Sequence, residues 1–175
     1  MFYTSTRNKN IKVTAAQAIA QGISEEGGLF VPCELPQFSL DKIASMVDMP
    51  YTQRAKTVLK DFLTDFSEEE LDYCVNGAYA AEKFSSSKIA PTVNVAGNKN
   101  ILELWHGPTC AFKDMALQLL PYLMTVSAKK TADGKTIVIL VATSGDTGKA
   151  ALEGFKDVDH TRILVFYPVD GVSPM

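Results

Sequence analysis

The sequence predicts an α/β protein: a small helical N-terminal domain, followed by an open, mainly parallel α/β sheet that is incomplete within the chain. Three observations carry this. The first half of the chain runs through successive helical patterns. The polar stretch "KFSSSK" at 83–88, followed by Pro91, then breaks the rhythm as a linker does. Beyond it, strand-like and helix-like runs alternate as strand, helix, strand, helix, strand, the βαβ order of an open sheet. The expected division is therefore residues 1–88 and residues 89–175.

Each element has its own signal. Thr14 and Gln17 have capping-box spacing ahead of "AQAIAQ", and Gly22 is placed to stop that helix. "SEEGGLFVP" reads as a turn, with Gly27 and Gly28 free to take positive φ, and then a short extended segment ended by Pro32. Ser39 can cap "LDKIASMV". Tyr51, Ala55, Val58, Leu59 and Phe62 recur at helical spacing. Ser67 and Glu70 repeat the capping-box spacing before a helix whose apolar face is Leu71, Cys74, Val75, Ala78 and Tyr79. Such stripes point to a core rather than to cofactor contacts. "TVNVAGNKNILEL" predicts two extended runs around a Gly97-Asn98 turn. A helical stretch from about Ala111 to Lys129 contains Pro121, which should kink or split it. "KTIVILVA" is a near-continuous β-branched run of the kind buried on both faces of a parallel sheet. A helix over about Thr147–Phe155 and the run "RILVFYP" follow. So few strands would leave one face and an edge poorly covered, and that edge could drive self-association.

Composition narrows the class. The chain has 175 residues, of which 46% are apolar and 21% charged, enough for a buried core. A net charge of -3 gives no basic patch for nucleic acid or an anionic membrane. No apolar run reaches the roughly 18–20 residues that span a bilayer, and "MFYTSTRNKNIKV" lacks the apolar stretch of a secretory signal. Cys33, Cys74 and Cys110 are dispersed and odd in number, without zinc spacing, so reduced thiols in a cytoplasmic protein are expected and no metal is.

The stretch "ILVATSGDTGKAA" at 139–151 is a strand feeding a glycine-bearing loop at a helix start. It is not a P-loop. Gly148-Lys149 would supply the G-K, but Thr143 stands where the first glycine is needed and Ala150 where the metal-binding hydroxyl is needed. G-x-G-x-x-G is also absent. Backbone N–H groups at the helix start, with the hydroxyls of Thr143, Ser144 and Thr147, can still grip a carboxylate. Ser144 or Asp146 acting simply as a helix cap is the simpler account of the loop taken alone. Thirty residues upstream, "ELWHGPTCAFKDMALQ" sets Lys113 after a Gly107-Pro108 turn and an aromatic, at the start of a helical pattern. A helix N-terminus and apolar neighbours Phe112 and Met115 favour a neutral amine, the form that makes a Schiff base. A lysine at a helix start can also be no more than solvated.

"HGPTCAFKD" resembles the pyridoxal-phosphate attachment segment of the threonine synthase family, within fold type II, and "TSGDTGKAA" resembles that group's Ser-Gly-Asn/Asp-x-Gly loop. "YTSTR" at 3–7 and "QGISEEGGLFVP" at 21–32 are similar to the family's N-terminal domain, and "YPVDGVSPM" to the segment that continues into the rest of the enzyme. The resemblance implies pyridoxal 5'-phosphate as cofactor and conversion of O-phospho-L-homoserine and water to L-threonine and phosphate. Lys113 would be the attachment residue and acid/base, with Phe112 against one face of the cofactor ring. Thr143, Ser144, Asp146 and Thr147 would line the substrate carboxylate and the ring edge. His106 is either a hydrogen-bonding group near the site or structural, Arg7 is an anion contact by motif position, and Cys110 has no role. The cofactor-phosphate loop of the family lies beyond Met175, so the chain is expected to be an N-terminal part without turnover of its own. The alternative activity is a phospho-lyase of the same substrate that gives a 2-oxo acid.

Overall fold

The computed structural model describes residues 1–131, 136–143 and 145–170. In chain order the elements are β1 (Tyr3–Ser5), α1 (Ala15–Gln21), β2 (Phe30–Pro32), α2 (Leu40–Ser45), α3 (Tyr51–Phe62), α4 (Glu68–Ala78), β3 (Thr92–Ala96), β4 (Lys99–Leu102), α5 (Asp114–Leu117), α6 (Leu120–Thr131), β5 (Ile137–Ala142), α7 (Asp146–Phe155) and β6 (Thr161–Phe166). They fall into two compact units. One comprises Met1–Val75 with Leu123–Lys135, the other Asn76–Tyr122 with Thr136–Met175.

In the first unit the helix starts form as their sequences dictate. Thr14 Oγ1 accepts from Gln17 N–H at 3.3 Å while Gln17 Oε1 accepts from Thr14 N–H at 2.9 Å. Ser39 Oγ caps α2 through Lys42 N–H at 3.2 Å. Ser67 and Glu70 exchange the same reciprocal pair ahead of α4, at 2.7 and 3.2 Å. Each cap satisfies donors that a helix start otherwise leaves open. β1 pairs antiparallel with β2, Tyr3 opposite Pro32 and Ser5 opposite Phe30. The turn between α1 and β2 is tied down by Arg7, whose Nη1 donates to Glu26 O at 2.9 Å. Lys56 and Lys60 on α3 pair with Glu68 and Asp72 on α4. These exposed pairs add little stability, since solvent screens them.

The α4 stripe is the clearest piece of core: Leu71, Cys74, Val75, Ala78 and Tyr79 are all buried. The α3 stripe is only half-buried along its length.

The second unit holds the parallel pair. β5 and β6 run in register from Ile137 opposite Thr161 to Ala142 opposite Phe166, joined through α7. β3 and β4 form a separate antiparallel hairpin around Gly97 (φ 53°). Pro121 splits the long helical stretch, so that α5 is a single turn and α6 starts afresh with the proline in its first turn, where a missing N–H costs nothing. Burial of "KTIVILVA" on both faces does not hold within this chain. β5 alternates, and Val138, Leu140, Leu164 and Phe166 are all more than half exposed on one face. The reason is coverage. α7 shields one face with Ala150, Ala151 and Phe155, and no described residue covers the other.

Two outcomes check this core. Leu71→Ala should lower unfolding stability by about 2–5 kcal/mol in urea denaturation, as deletion of a buried leucine does. Burial, with Glu70 adding to it, pushes the Cys74 thiol up to about 12, whereas Cys33 and Cys110 are exposed. A thiol reagent should therefore titrate two cysteines in the native chain and the third only after denaturant is added.

Candidate active site

The site-bearing loop leaves the hairpin at Glu103 and reaches the first turn of α5 at Lys113. At its start, His106 is held on both ring nitrogens. Nε2 meets Glu103 Oε2 at 2.7 Å, and Nδ1 meets Ser85 Oγ at 2.9 Å. Because the carboxylate can only accept, Nε2–H donates to Glu103; in the neutral ring this leaves Nδ1 to accept from the serine hydroxyl. The Ser85 N–H also donates to His106 O at 2.9 Å, so residue 85 is fastened to residue 106 at two points.

The middle of the loop is fastened by Asp114. Its carboxylate is fully buried, and both oxygens accept from Thr109: Oδ2 from the backbone N–H at 2.8 Å and Oδ1 from Oγ1 at 2.7 Å. Gly107 lies directly against this carboxylate. A Cβ there would stand 2.5 Å from Asp114 Oδ2 and 2.6 Å from Asp114 Cβ, so no larger residue fits without displacing it. Cys110 takes a left-handed φ of 59° at the corner, with its thiol exposed and its N–H on Gly107 O at 3.1 Å.

Lys113 is the residue before α5, and its ammonium rests 4.7 Å from the centre of the Phe112 ring. Among the described residues no carboxylate pairs with it. Phe112 is 62% exposed, so the apolar wall expected on that side is an open aromatic face. A single-turn α5 also gives little of the helix dipole that the longer stretch would have supplied.

The second loop closes β5. Thr143 N–H donates to Phe166 O at 3.0 Å, which extends the ladder by one bond, and Thr143 Oγ1 accepts from Gly145 N–H at 3.3 Å. Its methyl group lies over the α7 backbone at Gly148. Gly145 is the N-cap of α7, and no side chain among the described residues caps that helix. Asp146 therefore does not serve as the helix cap. It is the first helical residue, exposed beside Thr147, and no described residue accepts from the N–H of either. Ser144 lies outside the described residues. α5 and α7 pack closely because Gly154 has no side chain: a Cβ there would stand 2.1 Å from Leu117 O.

Of the predicted residues, Lys113, Phe112, Thr143, Asp146 and Thr147 all lie in the second unit, the first three on loops leading into the two packed helices and the last two in the first turn of α7. No hydrogen bond or ion pair among the described residues joins Lys113 to 143–147. Arg7 lies in the first unit, engaged with Glu26. Sequence reasoning passed over Asp114, Glu103 and Ser85. The aspartate stood inside the quoted motif, but nothing in the pattern marked it as buried. Among the described residues there is no group of three metal-ligating side chains.

Comparison with known proteins bears out the family resemblance. A family model described as "Threonine synthase N terminus" matches residues 2–79. The threonine synthase of Pseudomonas aeruginosa is 39% identical over 175 residues, which is 99% of this chain and 36% of that protein. Threonine synthase-like 1 of Homo sapiens is 39% identical over 166 residues, 90% of this chain and 22% of its own length. Among solved structures, pyridoxal-phosphate-bound threonine synthase from Brucella melitensis superposes with a TM-score of 0.90 at 36% identity, covering 99% of this chain and 37% of that one. The chain thus spans little more than a third of the length of these synthases.

The clamp makes a direct prediction. Asp114→Ala removes both acceptor oxygens and leaves the two Thr109 donors unmet, so it should cost about 1–3 kcal/mol of unfolding stability in urea denaturation.

Proposed function

We propose that this chain, similar to threonine synthases over about a third of their length, supplies the lysine-bearing part of a pyridoxal-phosphate enzyme of that family making L-threonine and phosphate from O-phospho-L-homoserine and water. Residues 1–88 are read as the family's N-terminal domain and 89–175 as the first part of its catalytic domain, in a cytoplasmic protein. The observation that carries the reading is a lysine with no carboxylate partner among the described residues, at the end of a loop fixed by Asp114.

The residues present suit that cofactor. Lys113 offers a primary amine for covalent attachment to an aldehyde, and Phe112 an exposed aromatic face against which a planar ring can lie. The α7 start offers N–H groups that no side chain of the helix consumes. When bound, the cofactor supplies the electron sink for carbanion chemistry.

The chain's own residues do the rest. Substrate and product differ in that phosphate leaves the γ carbon while a hydroxyl arrives at the β carbon, so protons must move between the α, β and γ positions. Lys113 Nζ is the group to carry them, neutral when it takes a proton and charged when it gives one. Thr143, Ser144 and Thr147, with the α7 N–H groups, bind the substrate carboxylate, an anion suited to a helix N-terminus. Asp146, exposed at the same point, turns toward the cofactor ring or its cationic attachment rather than toward the anion.

Turnover needs residues beyond those of this chain, and the bare face of β5 and β6 favours self-association of the chain by itself. The likeness to threonine synthase-like 1 supports a second reading, a lyase that releases phosphate from the same substrate without adding water at the β carbon, so that the released enamine hydrolyses to a 2-oxo acid and ammonia. Product analysis of the longer protein separates the two.

Incubation with substoichiometric pyridoxal phosphate followed by borohydride should fix the cofactor on Lys113, located by peptide mass. Lys113→Ala should remove that labelled peptide. Fixation chiefly on another lysine would overturn the assignment.

A further inference from the structure

The relay at the start of the lysine loop joins a serine, a histidine and a carboxylate in series. Ser85 Oγ lies 2.9 Å from His106 Nδ1, and His106 Nε2 lies 2.7 Å from Glu103 Oε2. With the neutral ring donating to Glu103, the Nδ1 lone pair is aimed at the Ser85 hydroxyl. A base then faces a nucleophile, and a carboxylate orients the base. This is the constellation of a catalytic triad with the two ring nitrogens exchanged; the chemistry requires the roles, not the ring position. Exposure follows the same division. Ser85 is open to solvent, whereas the His106 and Glu103 side chains are 17% and 21% exposed.

The surroundings supply the other parts. The Ser85 N–H is taken by His106 O at 2.9 Å, but among the described residues no acceptor meets the N–H of Ser86 or Ser87. The N–H that follows a nucleophile is a usual oxyanion donor. Their turn is closed by Ile89, whose N–H donates to Ser86 O at 3.0 Å. Ile89 is buried and β-branched yet held at a φ of 63°, a conformation that persists only where the surroundings enforce it. The half-exposed Trp105 indole lies 5.7 Å from the imidazole, centre to centre, as an apolar surface beside the base.

From this arrangement we infer that Ser85 is an activated nucleophile that hydrolyses small carboxylic esters. Ser85 Oγ bonds to the ester carbonyl carbon as its proton passes to His106 Nδ1, and the oxyanion draws on the Ser86 and Ser87 N–H groups. Collapse breaks the bond to the alkoxy oxygen, which leaves as an alcohol carrying the proton from His106. Water then adds to the acyl-serine and gives a proton to His106. The carboxylic acid leaves as the bond to Ser85 Oγ breaks and the serine takes that proton back. Glu103 touches no reacting atom and acts as a positioning residue through the ring. The lysine reading assigns no step to these residues, so either can fail alone.

The test is labelling of the cofactor-free chain with an alkyl fluorophosphonate, which a serine attacks at phosphorus with loss of fluoride, the adduct being located by peptide fragmentation. Ser86 and Ser87, in the same turn and bonded to no histidine among the described residues, are internal references. Ser85 should be labelled roughly 100-fold faster than either, the scale of general-base assistance. With p-nitrophenyl acetate the chain should release p-nitrophenol well beyond one equivalent, and Ser85→Ala should lower that rate by a similar factor. His106→Gln should slow Ser85 labelling about 100-fold. Glu103→Gln should slow it at least roughly tenfold. Both variants should leave Ser86 and Ser87 unchanged, whereas a merely structural relay would not set Ser85 apart. Cys110→Ser should leave release unchanged. Ser85 labelled no faster than Ser86 and Ser87, release that stops at one equivalent, or full activity in Ser85→Ala would overturn the proposal. Full Ser85 reactivity in both His106→Gln and Glu103→Gln would do the same, and loss of release in Cys110→Ser would assign it to the thiol and overturn it equally.

Discussion

A single buried carboxylate sets the geometry on which the candidate site depends. Asp114 has no solvent around it, and a carboxylate in that position must have its oxygens satisfied by the protein. Thr109 supplies both donors. That pairing draws the loop back over the start of α5 and presses Gly107 onto the carboxylate. It also leaves Cys110 at a corner of left-handed backbone. Lys113, one residue before Asp114, is carried to the head of the helix by the same bonds. The relay from Glu103 through His106 to Ser85 fixes the other end of the loop, so the lysine is presented between two anchored points.

The second loop follows the opposite logic. Its strand end is secured by the Thr143 bond to Phe166, and α7 is drawn close to α5 by Gly154 against the Leu117 carbonyl. Yet among the described residues no side chain caps the first turn of α7, whereas α1, α2 and α4 are capped by Thr14, Ser39 and Ser67. Uncapped helix starts forgo stability that the chain takes elsewhere, and they leave donors available for a ligand anion. Rigid support with open donors is the arrangement a binding loop requires.

Much of this was legible in the sequence because it is local. Capping boxes, the Gly97 turn and the break at Pro121 depend on a few consecutive residues, and each formed where its pattern stood. The α4 stripe was readable because 3.6-residue spacing puts Leu71, Cys74 and Val75 on one side. What the sequence could not show was non-local. Asp114 in "AFKD" looks like any helix-start acid, and its burial follows from a loop folding back over it. Likewise, Glu103 and Ser85 are eighteen residues apart and meet only through His106. The β-branched run 137–142 correctly indicated a strand, but its composition suits burial on both faces and the described residues cover one.

The claim that most needs direct measurement is that the lysine loop is held in place before any ligand arrives. Amide hydrogen exchange at Thr109 in the ligand-free chain reads the Asp114 bond itself. The account predicts that the Thr109 amide exchanges far more slowly than the amide of Asn98 in the exposed hairpin turn, and that Asp114→Ala, which removes both acceptor oxygens, removes the difference. Exchange at Thr109 as fast as at Asn98 in the unmodified chain would contradict it.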